Sequence, residues 1–319
     1  MKLIIQIPCL NEAQTLPATI KDIPRRIEGI DAVELLVIDD GSTDRTAEVA
    51  GKMGVDHIVR FAQTKGLAKG FMAGIDACLM LGADIIVNTD ADNQYRGEDI
   101  PKLIRPILEG KADMVIGARQ IEKIEEFSYA KKKLQRLGSW LVRTISETEV
   151  PDTTSGFRAY SREAALRLNV ISDFTYTLET VIQAGKKRIA LDSVPIGRND
   201  RIRPSRLFSG TWEYLKKSAA TILRIYAMFE PLKTFSLIGG AVFSVGFLLS
   251  LRFLYFYVTG VGGGHVQSLI LAAILLIVGF QIVMIGLVAD IISANRRLIE
   301  DTLYRIRKLE LFFGHKTLK

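Results

Sequence analysis

The chain has 319 residues, of which 48% are hydrophobic, and it carries a net charge of +7 at neutral pH. Its mean hydropathy of +0.20 is high for a purely soluble protein and indicates contact with lipid. The two cysteines, Cys9 and Cys78, have no metal-ligand spacing and exclude a disulfide-rich secreted fold. The basic surplus lies mainly in residues 123–224, which carry 19 Lys and Arg against 11 Asp and Glu. Because no RNA-binding aromatic motif or zinc finger accompanies this charge, we expect anionic lipid as the partner and no nucleic acid.

The first part of the chain predicts an α/β fold. Short apolar runs end in turn or polar residues, and helical patterns over roughly 12–28, 43–53, 66–82 and 98–110 separate them. Such alternation is typical of a mostly parallel sheet, in which ligands bind beyond the carboxyl ends of the strands. The polar residues at the ends of the apolar runs are therefore expected to share one site: Asn11, Glu12, Asp39, Asp40, Asp90, Asp92 and Arg119.

Two segments leave alternatives open, the end of the second apolar run and the glycine-rich segment 65–70. Asp39 and Asp40 are placed to accept hydrogen bonds from a ribose or a base, and we expect at least one to do so. The Gly-Ser-Thr-Asp segment that follows suits a tight turn and a helix N-cap with an acid in the first turn, so Asp44 is expected to be structural. The glycine-rich segment 65–70 either approaches a phosphate or merely begins the next helix.

The segment Thr-Asp-Ala-Asp-Asn-Gln-Tyr, residues 89–95, is the strongest candidate for a metal site. If the segment is extended, alternation places Asp90, Asp92 and Gln94 on one side. Three oxygen donors on one side suit Mg²⁺ or Mn²⁺, and a diphosphate is the expected partner of such an ion. The alternative is a solvated loop without a ligand.

Two later segments, 234–258 and 268–292, are each apolar and long enough to cross a bilayer. The loop between them has no Lys or Arg, whereas basic stretches flank the pair. The positive-inside rule therefore predicts an integral protein of the cell membrane, with the catalytic domain and both termini on the cytoplasmic side.

Amphipathic patterns flank the two membrane segments. Residues 130–146 and 208–233 have apolar positions at helical spacing with basic neighbours, and they predict helices lying in the membrane interface. Between them, Arg201, Arg203 and Arg206 form a basic loop whose guanidinium groups match the geometry of a lipid phosphate. The expected domains are thus a catalytic domain (1–207), a second interfacial helix (208–233), a transmembrane hairpin (234–292) and an amphipathic C-terminal helix (293–319).

The motifs together resemble the family 2 glycosyltransferases of GT-A fold, and within them the polyprenyl-phosphate glycosyltransferases. The residues that carry the resemblance run the length of the domain: IPCLNE, VIDDGSTDRT, TDADNQY, GAR and DTTSGFRAY, followed by the paired membrane helices. The resemblance implies a Rossmann-like, mostly parallel sheet and a nucleotide-sugar donor.

The resemblance also implies a role for individual residues. Asp90, Asp92 and Arg119 would be catalytic, and Asp92 with Gln94 would hold Mg²⁺ or Mn²⁺. The acceptor phosphate would meet Ser155 and the basic loop at Arg201, Arg203 and Arg206. The nucleotide sugar would be bound by Pro8, Leu10, Glu12, Ile38, Asp40, Asp90 and Ala91.

The implied reaction is an inverting transfer of one sugar from a UDP- or GDP-linked donor to undecaprenyl or dolichyl phosphate. A lipid phosphate is already ionised near neutral pH, so no strong general base is required. A homo-oligomer, with a tetramer as one arrangement, is expected. Two alternatives remain: a processive polysaccharide synthase, although its Gln-x-x-Arg-Trp motif is missing, and a non-catalytic protein that binds nucleotide sugars. Glu179 is left open between orienting the acceptor and a purely structural role.

Overall fold

The computed structural model describes residues 1–119, 142–143, 146–171, 175–200, 228–260 and 266–317, with side chains in the last range to residue 313. The chain divides into two compact units. One comprises residues 1–222 together with 303–319, and the other comprises residues 223–302.

The first unit is an α/β domain whose sheet contains seven strands within the described residues. The strands are β1 (Lys2–Cys9), β2 (Ala32–Asp39), β3 (His57–Arg60), β4 (Ile85–Asn88), β5 (Met114–Arg119), β6 (Arg158–Ser161) and β7 (Leu191–Ile196). The helices of this unit are α1 (Leu16–Asp22), α2 (Thr46–Lys52), α3 (Leu67–Met80), α4 (Ile100–Leu108), α5 (Arg162–Arg167) and α6 (Tyr176–Lys186).

The strand order is β3-β2-β1-β4-β6-β5-β7, and all neighbouring pairs are parallel except those that involve β6. The predicted mostly parallel sheet is therefore confirmed. β6 runs antiparallel between β4 and β5, so it was not expected from the alternating pattern. Its insertion brings the residues just before it, 152–157, to the carboxyl ends of its two neighbours.

The predicted helix over 12–28 was too long. α1 ends at Asp22, and Ile23 is extended because Pro24 follows it and disfavours the helical conformation at the preceding residue. A single 3₁₀ turn, Gly97–Asp99, precedes α4. The other predicted helices agree with the structure to within a few residues at each end.

The second unit contains two long apolar helices, α7 (Pro231–Val258) and the first part of α8 (Val266–Thr317). Both are long and apolar enough to cross a membrane, with mean hydropathies of 1.9 and 2.8. The two helices approach closely where glycines face each other: a Cβ added at Gly239 would lie 2.7 Å from the Gly279 carbonyl oxygen. Close packing through small residues is typical of helices in a membrane.

The predicted boundary at residue 292 does not correspond to a break, because α8 continues to Thr317. Within the first unit, the end of α8 packs on the α/β domain. The Tyr304 hydroxyl donates to Glu163 at 3.0 Å, and Arg307 pairs with Asp76 at 3.1 Å. The predicted interfacial helices over 130–146 and 208–233 lie almost entirely outside the described residues.

Candidate functional site

The ends of β1 and β2 are joined by side chains that accept backbone N–H groups. Asn11, in the left-handed conformation with φ +57°, accepts from the Thr43 N–H at 2.9 Å. Asp44 accepts from the Thr46 N–H at 2.9 Å, just where α2 begins, which agrees with the structural role expected for it. Glu12 is buried and accepts from the Thr15 hydroxyl at 2.6 Å. These hydrogen bonds hold the turns that follow β1 and β2 in place at the carboxyl ends of the strands.

Asp39 has structural partners. Its carboxylate is fully buried, accepts from the Ser42 N–H at 2.9 Å and pairs with Arg60 at 3.1 Å. A carboxylate buried this deeply requires such partners to remain charged. Asp39 therefore fixes the turn that follows β2.

Asp40, the next residue, holds the beginning of α3. One of its oxygens accepts from the Lys65 N–H at 2.7 Å and the other from the Gly66 N–H at 2.9 Å. Gly66 directly precedes α3 and has φ +96°, which favours the helix-start interpretation of the glycine-rich segment. A carboxylate has about four acceptor sites, so Asp40 keeps the capacity for a further donor.

The segment that follows β4 is a turn and not the extended strand that the alternation argument assumed. β4 ends at Asn88, and Asn93 adopts the left-handed conformation with φ +55°. Asn tolerates this conformation better than most residues, and alternation alone does not reveal it. The turn still brings Asp92 and Gln94 together: the Gln94 N–H donates to Asp92 at 3.2 Å, and its side-chain Nε2 donates to the same carboxylate. The Gln94 Oε1 accepts from Arg198 Nη2 at 3.1 Å.

Burial and neighbouring charges both act on the carboxyl group of Asp90. Burial, followed by the negative charge of Asp92, raises the pKa of the Asp90 carboxyl to about 7. Arg119 and Arg158 act in the opposite direction and lower it. The two acids thus repel each other, and positive charge close to them would stabilise both.

The donor chemistry of Asp90, Asp92 and Gln94 fits a divalent cation. Mg²⁺ is usually held by one or two carboxylates, with water and phosphate oxygens completing its shell. Within the described parts of the chain, no three His, Cys, Asp or Glu side chains gather into an all-protein cage. The residues present fit an Mg²⁺ or Mn²⁺ ion that shares its coordination with a phosphate.

Arg119, at the end of β5, is bound to the segment before β6. Its Nε and Nη2 donate to the two oxygens of Asp152 at 2.7 and 3.0 Å, and Nη2 also donates to the Thr154 hydroxyl at 2.8 Å. Burial opposes the charge on both partners. The Asp152 carboxylate nevertheless raises the pKa of the Arg119 guanidinium, and Arg119 holds the pKa of Asp152 below its usual value.

The segment Asp152–Arg158 forms a turn that a buried arginine organises; we call it the Arg158 turn. Arg158 is fully buried and donates to the carbonyl oxygens of Ser155 at 2.7 Å and Thr153 at 2.8 Å. Its third contact, at 2.5 Å, is the hydroxyl of Thr180 in α6. Hydrogen bonds to a charged donor are among the stronger ones in proteins, so this side chain determines the shape of the turn.

Gly156, inside the Arg158 turn, contacts Asp90. A Cβ added at this glycine would lie 3.1 Å from one carboxylate oxygen of Asp90 and 2.9 Å from the Tyr176 hydroxyl. The Gly156 N–H donates to the Tyr95 hydroxyl at 2.9 Å, and its carbonyl accepts from Asn88 at 2.8 Å. Only glycine allows the turn to approach the acid this closely.

The predicted acceptor residues have mixed positions. Ser155 is fully buried, and its hydroxyl accepts from the Phe157 N–H at 3.4 Å, which favours a role in turn formation. Glu179 accepts from the Ile171 N–H and from Gln183 at 3.0 and 3.1 Å, so the structural alternative is favoured. The basic loop with Arg201, Arg203 and Arg206 lies outside the described residues.

The predicted nucleotide-sugar residues lie around the same edge of the sheet. Pro8 and Ile38 face each other in the parallel register of β1 and β2, and Ala91 is buried next to Asp90. Leu10 is 41% exposed, so its side chain is accessible to a ligand at the end of β1.

Sequence reasoning missed several residues that shape the site, chiefly Asn88, Asp152, Arg158 and Tyr176. One signal was present: Arg158 interrupts the apolar run Phe-Arg-Ala-Tyr. A charged residue in such a run is expected to be buried with partners. One of its partners, Thr180, comes from α6 and cannot be identified from the local sequence.

Comparison with known proteins gives the family. Residues 4–168, just over half of the chain, match the model for glycosyl transferase family 2. The glycosyltransferase AglJ of Haloferax volcanii is 29% identical, over 96% of this chain and 97% of its own. The dolichol-phosphate mannosyltransferase of Pyrococcus furiosus is also 29% identical, over 78% of this chain and 72% of its own.

Solved structures share the fold. Glucosyl-3-phosphoglycerate synthase from Mycobacterium tuberculosis, in a crystal structure with Mn²⁺, UDP and glucosyl-3-phosphoglycerate, aligns with a TM-score of 0.56. The alignment covers 71% of this chain and 78% of the synthase at 22% identity. At this identity the likeness establishes the fold of the α/β domain.

Proposed function

The chain belongs to glycosyl transferase family 2, and we propose that it transfers one sugar from a nucleotide sugar to a membrane polyprenyl phosphate with the help of a divalent cation. The GT-A fold and the glycosyltransferase class are the premises of this proposal. The acceptor class is inferred from relatives such as the dolichol-phosphate mannosyltransferase. Whether the donor carries UDP or GDP, and whether the lipid is undecaprenyl or dolichyl phosphate, is left to experiment.

The observation that supports the proposal most is the meeting of acids and an arginine at one edge of the sheet. Asp90 and Asp92 follow β4, and Arg119 ends β5. Their charges interact, since both Asp92 and Arg119 shift the pKa of Asp90. Negative groups for a cation and a positive group for a phosphate are what the departure of a nucleoside diphosphate requires.

On the donor side, Asp40, Glu12 and the backbone near Pro8 would bind the nucleoside, with Leu10, Ile38 and Ala91 lining the same edge. Asp92 and Gln94 would hold Mg²⁺ or Mn²⁺. The cation, when bound, neutralises the charge that develops on the leaving diphosphate. Mn²⁺ in the related synthase structure supports this choice of ion.

On the acceptor side, the lipid phosphate would attack the anomeric carbon in a single displacement, which inverts its configuration. Asp90, next to the Arg158 turn, would lie against the sugar, and Arg119 would face the phosphates. Arg201, Arg203 and Arg206 are proposed to clamp the lipid phosphate because a guanidinium fork matches phosphate oxygens.

Membrane insertion through α7 and α8 would bring the acceptor to the domain. Both helices expose many large apolar side chains, for example Leu237 in α7 at 77% and Ile292 in α8 at 63%. A lipid environment would cover this apolar surface. By the positive-inside rule, the catalytic domain and both termini would lie on the cytoplasmic side.

The test uses the full chain purified in detergent with radiolabelled UDP- and GDP-sugars and a polyprenyl phosphate. We expect label in the organic phase when Mg²⁺ or Mn²⁺ is present, and none when excess chelator is added. Full transfer in excess chelator would contradict the metal-assisted mechanism. Arg203→Ala should weaken use of the lipid more than binding of the donor.

The same assay separates the alternatives. Label in a polymer that remains in the aqueous or insoluble fraction would indicate a processive synthase. Donor binding by thermal shift, with no transfer to any acceptor, would indicate a protein that only binds nucleotide sugars.

A further inference from the structure

The Gln94 carboxamide lies between an acid and a base. Its Nε2 donates to Asp92, and its Oε1 accepts from Arg198 Nη2 at 3.1 Å. All three side chains are half-buried. A neutral amide thus links a carboxylate to a guanidinium, with each end matched to its partner.

Hydrogen bonds hold the backbone around Arg198 beside the turn that contains Asp92 and Gln94. Tyr95 and Arg198 form an antiparallel bridge, and the Asn199 N–H donates to the Gln94 carbonyl oxygen at 3.0 Å. Arg96 Nε donates to the Arg198 carbonyl oxygen at 3.2 Å. Because these bonds hold the two segments together, a rearrangement at Gln94 is confined to side chains.

A cation bound by Asp92 and Gln94 is incompatible with the hydrogen bond between Gln94 and Arg198. A cation bound by Asp92 and Gln94 needs the amide oxygen, whereas the amide presents its nitrogen to Asp92. Turning the amide would present its NH₂ group to Arg198, which has only donors. If the Gln94 amide oxygen contacted both the cation and the Arg198 guanidinium, two positive charges would lie a few ångströms apart and would repel each other.

We propose that Arg198 and the divalent cation compete for Gln94, so that cation binding releases the Arg198 guanidinium to phosphate oxygens bound next to the cation. This inference rests on the proposed cation site at Asp92 and Gln94. Arg198 would then couple the two ligands: the cation strengthens phosphate binding, and by reciprocity the phosphate strengthens cation binding. A guanidinium is suited to this task because it matches phosphate geometry.

The first test measures Mn²⁺ binding to the full chain in detergent, from the electron paramagnetic resonance signal of free Mn²⁺, with no other ligand. Arg198→Met removes the competitor and is expected to bind Mn²⁺ about tenfold more tightly, the factor of one charge-assisted hydrogen bond. Lys21→Met is the control: it removes one positive charge from an exposed side chain that contacts neither Gln94 nor Arg198. Its Mn²⁺ affinity should change by less than about threefold.

A double variant shows whether Arg198 acts through the amide. Gln94→Ala should weaken Mn²⁺ binding, and Arg198→Met in that background should have no further effect larger than that of the Lys21 control. If Arg198→Met does not fold, as judged by thermal melting, Arg198→Leu replaces it.

The second test adds inorganic pyrophosphate or a short-chain polyprenyl phosphate. In the wild type, Mn²⁺ should strengthen binding of the phosphate that Arg198 contacts, and Arg198→Met should reduce that gain. Reduction with pyrophosphate assigns the donor diphosphate, and reduction with the lipid assigns the acceptor.

Two results would overturn the inference. Unchanged or weaker Mn²⁺ binding by Arg198→Met, in a chain whose wild type binds Mn²⁺, rejects the competition and leaves the proposed function intact. An unchanged Mn²⁺-dependent gain with both phosphates rejects the release of Arg198. Failure of the wild type itself to bind Mn²⁺ rejects the proposed cation site and this inference with it.

Discussion

The strand ends that would bind the donor, residues 8–12, 38–42 and 90–94, are held by small polar side chains that accept backbone N–H groups. The Arg158 turn, which borders the same site, is held by the buried Arg158 and the half-buried Arg119. Asn11 and Asp40 illustrate the first arrangement, whereas Arg119 with Asp152 and Arg158 with Thr180 illustrate the second. In the first region a half-buried side chain such as Asp92 can therefore be removed without unfolding the domain, whereas changes in the second region affect both folding and activity.

The largest effect is expected for Asp92→Ala, which tests the first half of the comparison. Loss of a charged group that acts on the leaving diphosphate should reduce transfer by at least about a hundredfold. Asp92 is half-buried, so the melting temperature should change little. Asp31→Ala, at a carboxylate that is 88% exposed, is the control and should leave both quantities near wild type. A melting temperature that falls as steeply as the activity would break the distinction between the two regions.

Arg158→Met tests the second half. The change leaves the Ser155 and Thr153 carbonyl oxygens buried without their charged donor, at a cost of about 3 kcal/mol in the free energy of unfolding. Thermal melting in detergent should show a decrease of roughly 6–12 °C, together with loss of transfer. Arg105→Met removes an arginine that is 77% exposed, and its cost should stay within about 0.5 kcal/mol. Equal shifts in the two variants would contradict the role assigned to Arg158.

Gly156→Ala addresses the contact between the turn and Asp90. The added methyl group would lie 2.9 Å from the Tyr176 hydroxyl and 3.1 Å from Asp90, so the turn must move away from the acid. We expect about 1–3 kcal/mol of destabilisation and a decrease in kcat larger than the change in KM for the donor. Gly51→Ala, in α2, meets no atom within 4 Å and should be neutral or slightly stabilising. Unchanged kcat in Gly156→Ala would show that the approach to Asp90 is not needed.

The smallest effect is the pH dependence of the ion pair between Arg119 and Asp152. Because Arg119 holds the pKa of Asp152 below its usual value, the stabilisation is fully present above the ordinary value of 3.8 and is lost as the pH falls through the lowered pKa. The melting temperatures of the wild type and Asp152→Asn should therefore differ most above pH 5 and converge towards pH 3. A difference that grows on acidification would contradict the assignment.

The same comparison explains which features were accessible from the sequence. The turn at Asp44 and the first strands carry local signals, a Gly-Ser-Thr-Asp turn and apolar runs of strand length, and both were predicted. The spacing predicted Asp90, Asp92 and Gln94 on one side of an extended segment, but Asn93 turns the chain, and the contact between Asp92 and Gln94 arises from that turn.

The arrangement around the Arg158 turn depends in part on distant residues, which the local sequence does not identify. β6 has only four residues and lies between strands from other parts of the chain, so its direction depends on tertiary pairing. Whether Arg119 meets a phosphate or Asp152 depends on a residue 33 positions away. Burial of Arg158 is stabilised by Thr180, 22 positions away.

The proposed cation site is tested most directly by a structure of the full chain with Mn²⁺ and a nucleoside diphosphate, with the ion located by its anomalous scattering. We expect one Mn²⁺ peak about 2.1 Å from an Asp92 oxygen, with diphosphate oxygens completing the coordination of the ion. An ion bound elsewhere, or a diphosphate bound away from the ends of β1, β2 and β4, would contradict this expectation.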